Sequence, residues 1–442
     1  MDSQGSNSLQ SAASSGDKHA FNLLLKSGFD PYEKDRDNSH TVLTCACQKG
    51  RTDMVKYPIE KYPALLQEHT DIRGKSLLQW AAFSGNIDIF ECMLDIFENE
   101  NILHLSSGVK PKVDGKDYSG QSILHFACEK GNYDMCKYLL NRYPQLLDVC
   151  DNDGETVLHF AARGGNVELF KFLLSKGLNV NSTTKTGNTV VHLCCAEGRE
   201  EMSRYLVNKY PNLISFRDNN GWTACAGVSV ELVSFLIEKG MDINTLSNNG
   251  KNILHLACLN GKLEVCEYLV ENYPHLLDIK DKSSNTVLHA AASGGNVQIV
   301  KLLIDKKKDI YTLQKDGETI LHQCCYYGEM EMYEYLVNHF SELIKIRDNK
   351  GWTVLHSACS VGSVDIVSFL LDKRLDINAL SNVGESILHI ACLNGEHDVC
   401  RYLSTNYPDL LAVKDNQGKL VIDIAAEHGD IDMIHILRER RH

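Results

Sequence analysis

The sequence predicts an all-α solenoid, a stack of helix–turn–helix units in which each unit packs only on its neighbours. Three observations predict it. One ten-residue phrase returns along the chain, mostly every 33 or 34 residues. Behind each copy lies a segment with apolar residues three and four apart, the spacing of one helix face. Finally, the chain has 442 residues, of which 43% are apolar and 23% charged. That is ordinary globular composition at a length one compact core seldom organises, whereas a repeat stack has no such ceiling.

The phrase is a Ser or Thr, two aliphatic residues, a His, small residues and a Gly. It reads SILHFACEKG from Ser122, TVLHFAARGG from Thr156, TVVHLCCAEG from Thr189 and NILHLACLNG from Asn252. It returns as TVLHAAASGG from Thr286, TILHQCCYYG from Thr319, TVLHSACSVG from Thr353 and SILHIACLNG from Ser386, with weaker copies from Asn7, Thr41, Ser76 and Leu420. Taking Thr156 as the example, its hydroxyl suits an N-cap that accepts from an orphaned helix N–H. His159, three residues on, is placed to reach back as in a capping box. Leu158, Ala161 and Ala162 form the packing face of a short helix that Gly165 ends, and Asn166 caps a second helix, NVELFKFLLS. A polar, Gly-containing segment then projects as a finger toward the next copy.

These residues resemble the ankyrin repeat, whose hallmark is T-P-L-H-x-A-A-x-x-G at a period of 33. The resemblance covers nearly the whole chain in about 13 copies. They are 7–34 (a divergent cap), 39–68, 74–119, 120–149, 154–183, 187–216, 221–246, 250–279, 284–313, 317–346, 351–380, 384–413 and 418–442 (a C-terminal cap). No copy has the hallmark Pro, which only pre-sets a backbone angle at the first helical position. The resemblance implies that the Thr–His pair ties adjacent turns together. It also implies a curved body with a concave face of fingers and inner helices, on which a protein partner binds.

A longer period overlies the short one. Ser122 matches Asn252, Thr156 matches Thr286, Thr189 matches Thr319 and Thr223 matches Thr353, all 130 residues apart, so a four-repeat module is duplicated. Alternate copies end in a Tyr-Pro exit such as NRYPQLLDVCD, where Pro stops the second helix. The copy from Thr223 lacks four residues equivalent to Val354–Ser357, a candidate weak point at which the halves flex. The copy from Ser76 carries an insertion near Glu98–Val113, a candidate binding loop.

Catalytic and metal chemistry find no footing in this pattern. Of sixteen cysteines, ten occupy the small-residue slots of the first helix: Cys47, Cys128, Cys194, Cys195, Cys225, Cys258, Cys324, Cys325, Cys359 and Cys392. Cys136, Cys266 and Cys400 share one slot on the second helix. They alternate with Ala, which is a demand for small apolar volume and not for zinc or disulfides. Eight of the eighteen histidines hold the recurring capping position. No nucleotide, zinc-protease or hydrolase motif is present, so no cofactor and no metal are expected, and the chain reads as no enzyme. A net charge of −13 without a basic stripe argues against nucleic acid. No 18-residue apolar run or targeting leader is present, so no membrane insertion is expected and the cytoplasm, or the nucleus as well, is the expected location.

The expected function is a protein-interaction scaffold or adaptor, acting as a monomer. The alternative is the ankyrin arm of a larger protein: a channel, a ubiquitin-ligase adaptor or a repeat-bearing enzyme. Trp222 and Trp352 share one slot between finger and first helix and are the candidate partner anchors. By resemblance, Asn244 and Asn378 fit the site of asparaginyl hydroxylation. Each follows Leu-x5-Asp-aliphatic (Leu236 and Leu370), and Asn181 fits less well because Asn179 replaces the acid.

Overall fold

A computed structural model describes residues 7–35, 40–67, 70–98, 112–224, 229–327 and 330–438. Among these, 25 α-helices and six 3₁₀ turns alternate, with isolated β-bridges such as Cys150–Thr156 and no strands. Within the shortened copy from Thr223, the candidate weak point, residues 225–228 lie outside the described residues, as does nearly all of the candidate loop (99–111). The second helix of the shortened copy, Val230–Glu238, is intact.

The chain falls into two compact units, residues 1–219 with 223–225 and 238–241, and residues 220–222, 226–237 and 242–442. In the first, the first helices Ser8–Ser15, Val42–Gln48, Leu77–Ser84, Ile123–Glu129, Val157–Gly164 and Val190–Ala196 stack each on the next. In the second, Ile253–Leu259, Val287–Ser293, Ile320–Tyr327, Val354–Ser360, Ile387–Leu393 and Val421–His428 do the same. A first helix is thus covered by two like helices and by its own second helix. Six consecutive residues, Val157 to Ala162, are accordingly buried. Helices that approach on so many sides need small side chains, which explains the Ala/Cys slots. Every described cysteine in those slots is buried and in no disulfide. The Sγ atoms of Cys128 and Cys136 lie 3.6 Å apart, those of Cys258 and Cys266 3.7 Å, packed as thiols and not bonded. Burial pushes the Cys325 and Cys392 thiols up to about 12, so they stay protonated.

The helix ends behave largely as the residues dictate. Gly165 closes its helix at φ 86°, and the Asn166 side chain accepts from the Leu169 amide. The Thr156 hydroxyl departs from the simple cap. The His159 amide bonds the Thr156 carbonyl in a tightened first turn, and the hydroxyl faces His159 Nδ1 at 2.9 Å. The Tyr-Pro exits are also more than a stop. Each continues as a 3₁₀ turn, for example Pro144–Asp148, and Ser341–Lys345 makes the same turn without Pro. What these turns share is a buried leucine, Leu146, Leu213, Leu276, Leu343 or Leu410, which pins the exit to the core.

Neighbouring repeats are joined at two levels. The first is the repeated histidine. In the copy from Thr156, Nδ1 of His159 accepts from the Thr156 amide at 3.1 Å, so Nδ1 carries no proton. Nε2 must then carry it, and it donates to the Ser182 carbonyl of the next finger at 3.1 Å. His125, His255, His322, His356 and His389 make the same reach, to the carbonyls of Glu155, Asn285, Trp352, Glu385 and Lys419. The second level is a ladder between fingertips. Asn152, Lys185 and Asn219 in the first unit donate their amides to the preceding tip at Ser119, Asp153 and Thr186. Lys315, Asn349, Asn382 and Asn416 do so in the second, to Ser283, Asp316, Lys350 and Val383. Where the residue is Asn, its side-chain amide adds a second bond, as from Asn349 to the Lys315 carbonyl.

That ladder dictates one glycine position. A Cβ on Gly317 would stand 2.5 Å from Asn349 Oδ1 and 2.8 Å from its amide, whereas on Gly154, facing Lys185, the nearest atoms are 3.4 Å away. Both adopt the left-handed conformation that favours Gly. Ser284, the one described tip residue of this kind that is not Gly, also faces a Lys. Gly317→Ala should therefore cost at least ~1 kcal/mol more than Gly154→Ala in chemical unfolding; equal costs would contradict the ladder as drawn.

The histidines set a pH dependence. Burial lowers the imidazoles of His125, His159, His289 and His356 from 6.5 to about 4, so the folded protein holds them neutral. A pKa depressed by folding gives stability that is complete above the unfolded value and lost as pH falls through the folded one. The chemical-unfolding midpoint should be flat from pH 8 to 7 and decline from about pH 6.5 to about 4. A midpoint unchanged at pH 5 would show that the histidines are not held neutral.

Candidate functional site

The residue just before each helix cap occupies a special place. At Glu155, Asn285, Trp352, Glu385 and Lys419 its backbone carbonyl is fixed, because the preceding histidine donates to it. Its side chain varies from copy to copy. It reads Lys75, Gln121, Glu155, Asn188, Trp222, Lys251, Asn285, Glu318, Trp352, Glu385 and Lys419. This slot faces the far end of the first helix, eight residues on.

The side chains meet there in matched pairs. In the first unit, Glu155 takes both oxygens to Arg163 Nη2, at 2.7 and 2.8 Å. The Glu155 carboxyl is raised, chiefly by burial, while Arg163 pulls it down. In the second unit, the Tyr326 hydroxyl donates to Glu318 Oε1 at 3.1 Å, and Lys419 Nζ meets Glu427 at 2.7 Å. Burial raises the Glu318 carboxyl and the Tyr326 phenol, so Tyr326 keeps its proton as the donor.

The sequence-proposed anchor Trp352 lies in this slot. Its ring is half-buried, stacked on the His356 ring at 6.3 Å, with Lys350 Nζ 4.9 Å from its centroid. Asp348 Oδ1 accepts from the Trp352 amide at 2.7 Å and fixes the finger base beneath it. Trp222, also half-buried, occupies the same slot of the shortened copy. Two residues that sequence reasoning passed over stand on this face. Tyr326 and Tyr327 end the first helix Ile320–Tyr327 and are 45% and 50% exposed. The signal was available, since no other copy of the phrase has two aromatic residues there.

A second cluster went unread in the first unit. Lys75, in the same slot, projects Nζ over three rings, 3.8 Å from Phe126, 4.1 Å from Trp80 and 5.0 Å from Phe83. Burial lowers its pKa, partly offset by Glu129 and Asp71. Trp80 is buried, and its indole N–H finds no acceptor.

Asn244 and Asn378 lie apart from this face, exposed at the turn before the finger. Their amides donate to Asp242 and Asp376 Oδ1, both at 3.0 Å. The turn is therefore shaped by the aspartate, and Tyr311 holds the Asn position with the same bond to Asp309. His275 Nε2 lies 2.9 Å from Asn244 Oδ1. Among the described residues no three His, Cys, Asp or Glu side chains converge as metal ligands, and no helix is long and apolar enough to cross a membrane.

Comparison with known proteins bears on this arrangement. A family model described as ankyrin repeats in three copies matches in overlapping windows that together run from residue 9 to residue 442. A probable 26S proteasome regulatory subunit, p28, of Saccharomyces cerevisiae is 33% identical over 147 residues, 32% of this chain and 64% of that protein. The target of rapamycin complex 2 subunit AVO2 of the same yeast is 30% identical over 135 residues, 29% of this chain and 32% of that protein. A putative ankyrin repeat protein of Rickettsia bellii is 32% identical over 113 residues, 25% of this chain and 62% of its own length. The chain thus spans under two thirds of each of these relatives.

Proposed function

The chain belongs to the ankyrin-repeat family, and from that premise we propose that it is a non-catalytic scaffold or adaptor that binds a protein partner on the face formed by its fingers and first-helix ends. One observation carries the reading. At five of these slots the preceding histidine holds the carbonyl while the side chain differs from copy to copy, so the frame is kept while the surface chemistry changes from repeat to repeat. A repeat array built this way reads an extended partner, with few atoms committed to any one pocket. The half-buried Trp222 and Trp352 and the exposed Tyr326 and Tyr327 supply aromatic area of the kind that dominates binding energy. Two relatives are named as subunits of multiprotein assemblies, which supports an adaptor role by likeness. The many buried cysteines, none in a disulfide among the described residues, suit a reducing compartment such as the cytoplasm.

Asn244 and Asn378 are proposed as hydroxylation sites on the same footing. Both are exposed, and the turn does not require Asn at that position. Incubation with an asparaginyl hydroxylase should add one oxygen at each, seen by peptide mass. Unmodified peptides after a reaction that hydroxylates a control substrate would remove the assignment.

The interaction face is tested by affinity capture from native lysate with quantitative mass identification. The Trp222→Ala, Trp352→Ala double variant, with an unchanged far-UV CD spectrum and unfolding midpoint, should lose its principal partners at least about tenfold. The same proteins captured in the same amounts would overturn the assignment of those anchors.

A further inference from the structure

A separate feature of the second unit is chemically unlike the rest of this acidic chain. An open pocket of about 310 Å³ lies between the exit of one repeat (Ile344, Lys345, Arg347) and the end of the next second helix (Lys373, Arg374, Asp376). Four cations line it against one carboxylate. The Asp376 carboxylate is engaged by the Asn378 amide. Lys345 pairs with Glu342 at 2.6 Å, but those side chains are 68% and 62% exposed, a weak pair that a stronger anion displaces.

The two arginines are presented differently. Arg347 Nη1 donates to the Gly351 and Leu380 carbonyls at 3.0 and 2.8 Å, which fixes the guanidinium plane. Its Nε and Nη2 donors meet no partner among the described residues, leaving one edge of the fork available for two acceptor oxygens. Arg374 adopts φ 62° in a slot where Gly28, Gly177 and Gly240 adopt 93°, 96° and 98°. A non-glycine residue is strained there, and strain of this kind clusters at functional sites.

Other copies of the repeat serve as controls for these charges. The position of Lys345 holds Asp148, Ser215, Asp278 and Ala412 at other exits. Lys307 is the other basic residue in the Arg374 slot, also left-handed, but there the exit residue is Asp278, which pairs with the neighbouring Lys308. In the copy from Thr223 the corresponding residues are Ser215, Arg217, Lys239 and Gly240, so two of the four cations are lacking. Only the pocket at Lys345 gathers all four.

We propose that this pocket binds a phosphate monoester dianion carried on a protein partner. A dianion with three acceptor oxygens matches the cations that line the pocket, of which Lys373 is bonded to Asn338 Oδ1 at 2.9 Å, and the open fork edge of Arg347. Four cations in one pocket are too few and too local for a nucleic-acid backbone, which an overall charge of −13 also repels. The proposal goes beyond the finger-face reading, since none of the proposed aromatic anchors lines the pocket.

The test is fluorescence anisotropy of the full chain with a labelled phosphoserine peptide pool of otherwise neutral random sequence. The controls are the same pool without phosphate and inorganic phosphate as competitor. The phosphorylated pool should bind and the unphosphorylated pool should not. The Lys345→Ser, Arg374→Gly variant, which restores residues found in a sister repeat and removes the strained backbone, should lose at least about tenfold in affinity with an undiminished unfolding midpoint. Trp222→Ala, Trp352→Ala should bind the pool normally, so failure here and failure of the finger-face reading are told apart. Equal binding by the Lys345→Ser, Arg374→Gly variant, or by the unphosphorylated pool, would overturn the proposal. Inorganic phosphate binding as tightly as the peptide pool would overturn its assignment to a protein-borne phosphate.

Discussion

The bond from six of the repeated imidazoles to a carbonyl of the next finger is the interaction on which the rest of the structure depends. It is a single neutral hydrogen bond, worth about 1 kcal/mol by itself. Its importance lies in its position. A repeat cannot bury its own apolar face, so stability resides in the contacts between neighbours. The imidazole joins a cap, a first helix and the next finger through one rigid ring. It does so in a setting where its two nitrogens have forced roles. A backbone amide only donates, so Nδ1 must accept; a carbonyl only accepts, so Nε2 must donate. Burial then keeps the ring neutral, which is the condition for both bonds.

From that bond follows the division of labour on the candidate surface. At Glu155, Asn285, Trp352, Glu385 and Lys419 the carbonyl before the cap is held by a histidine, while the side chain differs from copy to copy. Evolution of such a surface can proceed by changing Glu155 to Trp352 or Lys419 chemistry without disturbing the frame, because the frame is held through the backbone. The pairs eight residues apart, Glu155–Arg163, Glu318–Tyr326 and Lys419–Glu427, show charge, phenol and reversed charge in one geometry. The fingertip ladder provides the same separation. Amides and carbonyls join the tips, and the outward residues are free to differ.

Much of this was legible in the sequence, because local chemistry dictates it. The period, the Thr–His phrase, the Gly165 stop, the Asn166 cap and the cysteines in small-volume slots all follow from residues within a few positions of one another. What was not legible depends on residues brought together by stacking. The strut from Glu155 to Arg163 crosses a whole helix. The Lys75 cluster needs Phe126 from the following repeat, and the basic pocket joins Arg347 to Arg374 across a finger and two helices. Proline was given too large a part at the exits. Ser341–Lys345 makes the same turn without it, because a buried leucine sets the geometry. The turn before the finger is shaped by Asp242 and Asp376, a role the sequence analysis did not assign to them.

The central claim is that the repeated histidines are neutral, protonated on Nε2, and bonded across repeats. The direct measurement is a long-range ¹H–¹⁵N spectrum of histidine-labelled protein at pH 7. His125, His159, His322 and His356 should each show an unprotonated Nδ1 and a protonated Nε2 whose proton exchanges slowly. Imidazolium signals, or protons on Nδ1, at these residues would contradict the account, because neither form can make both bonds.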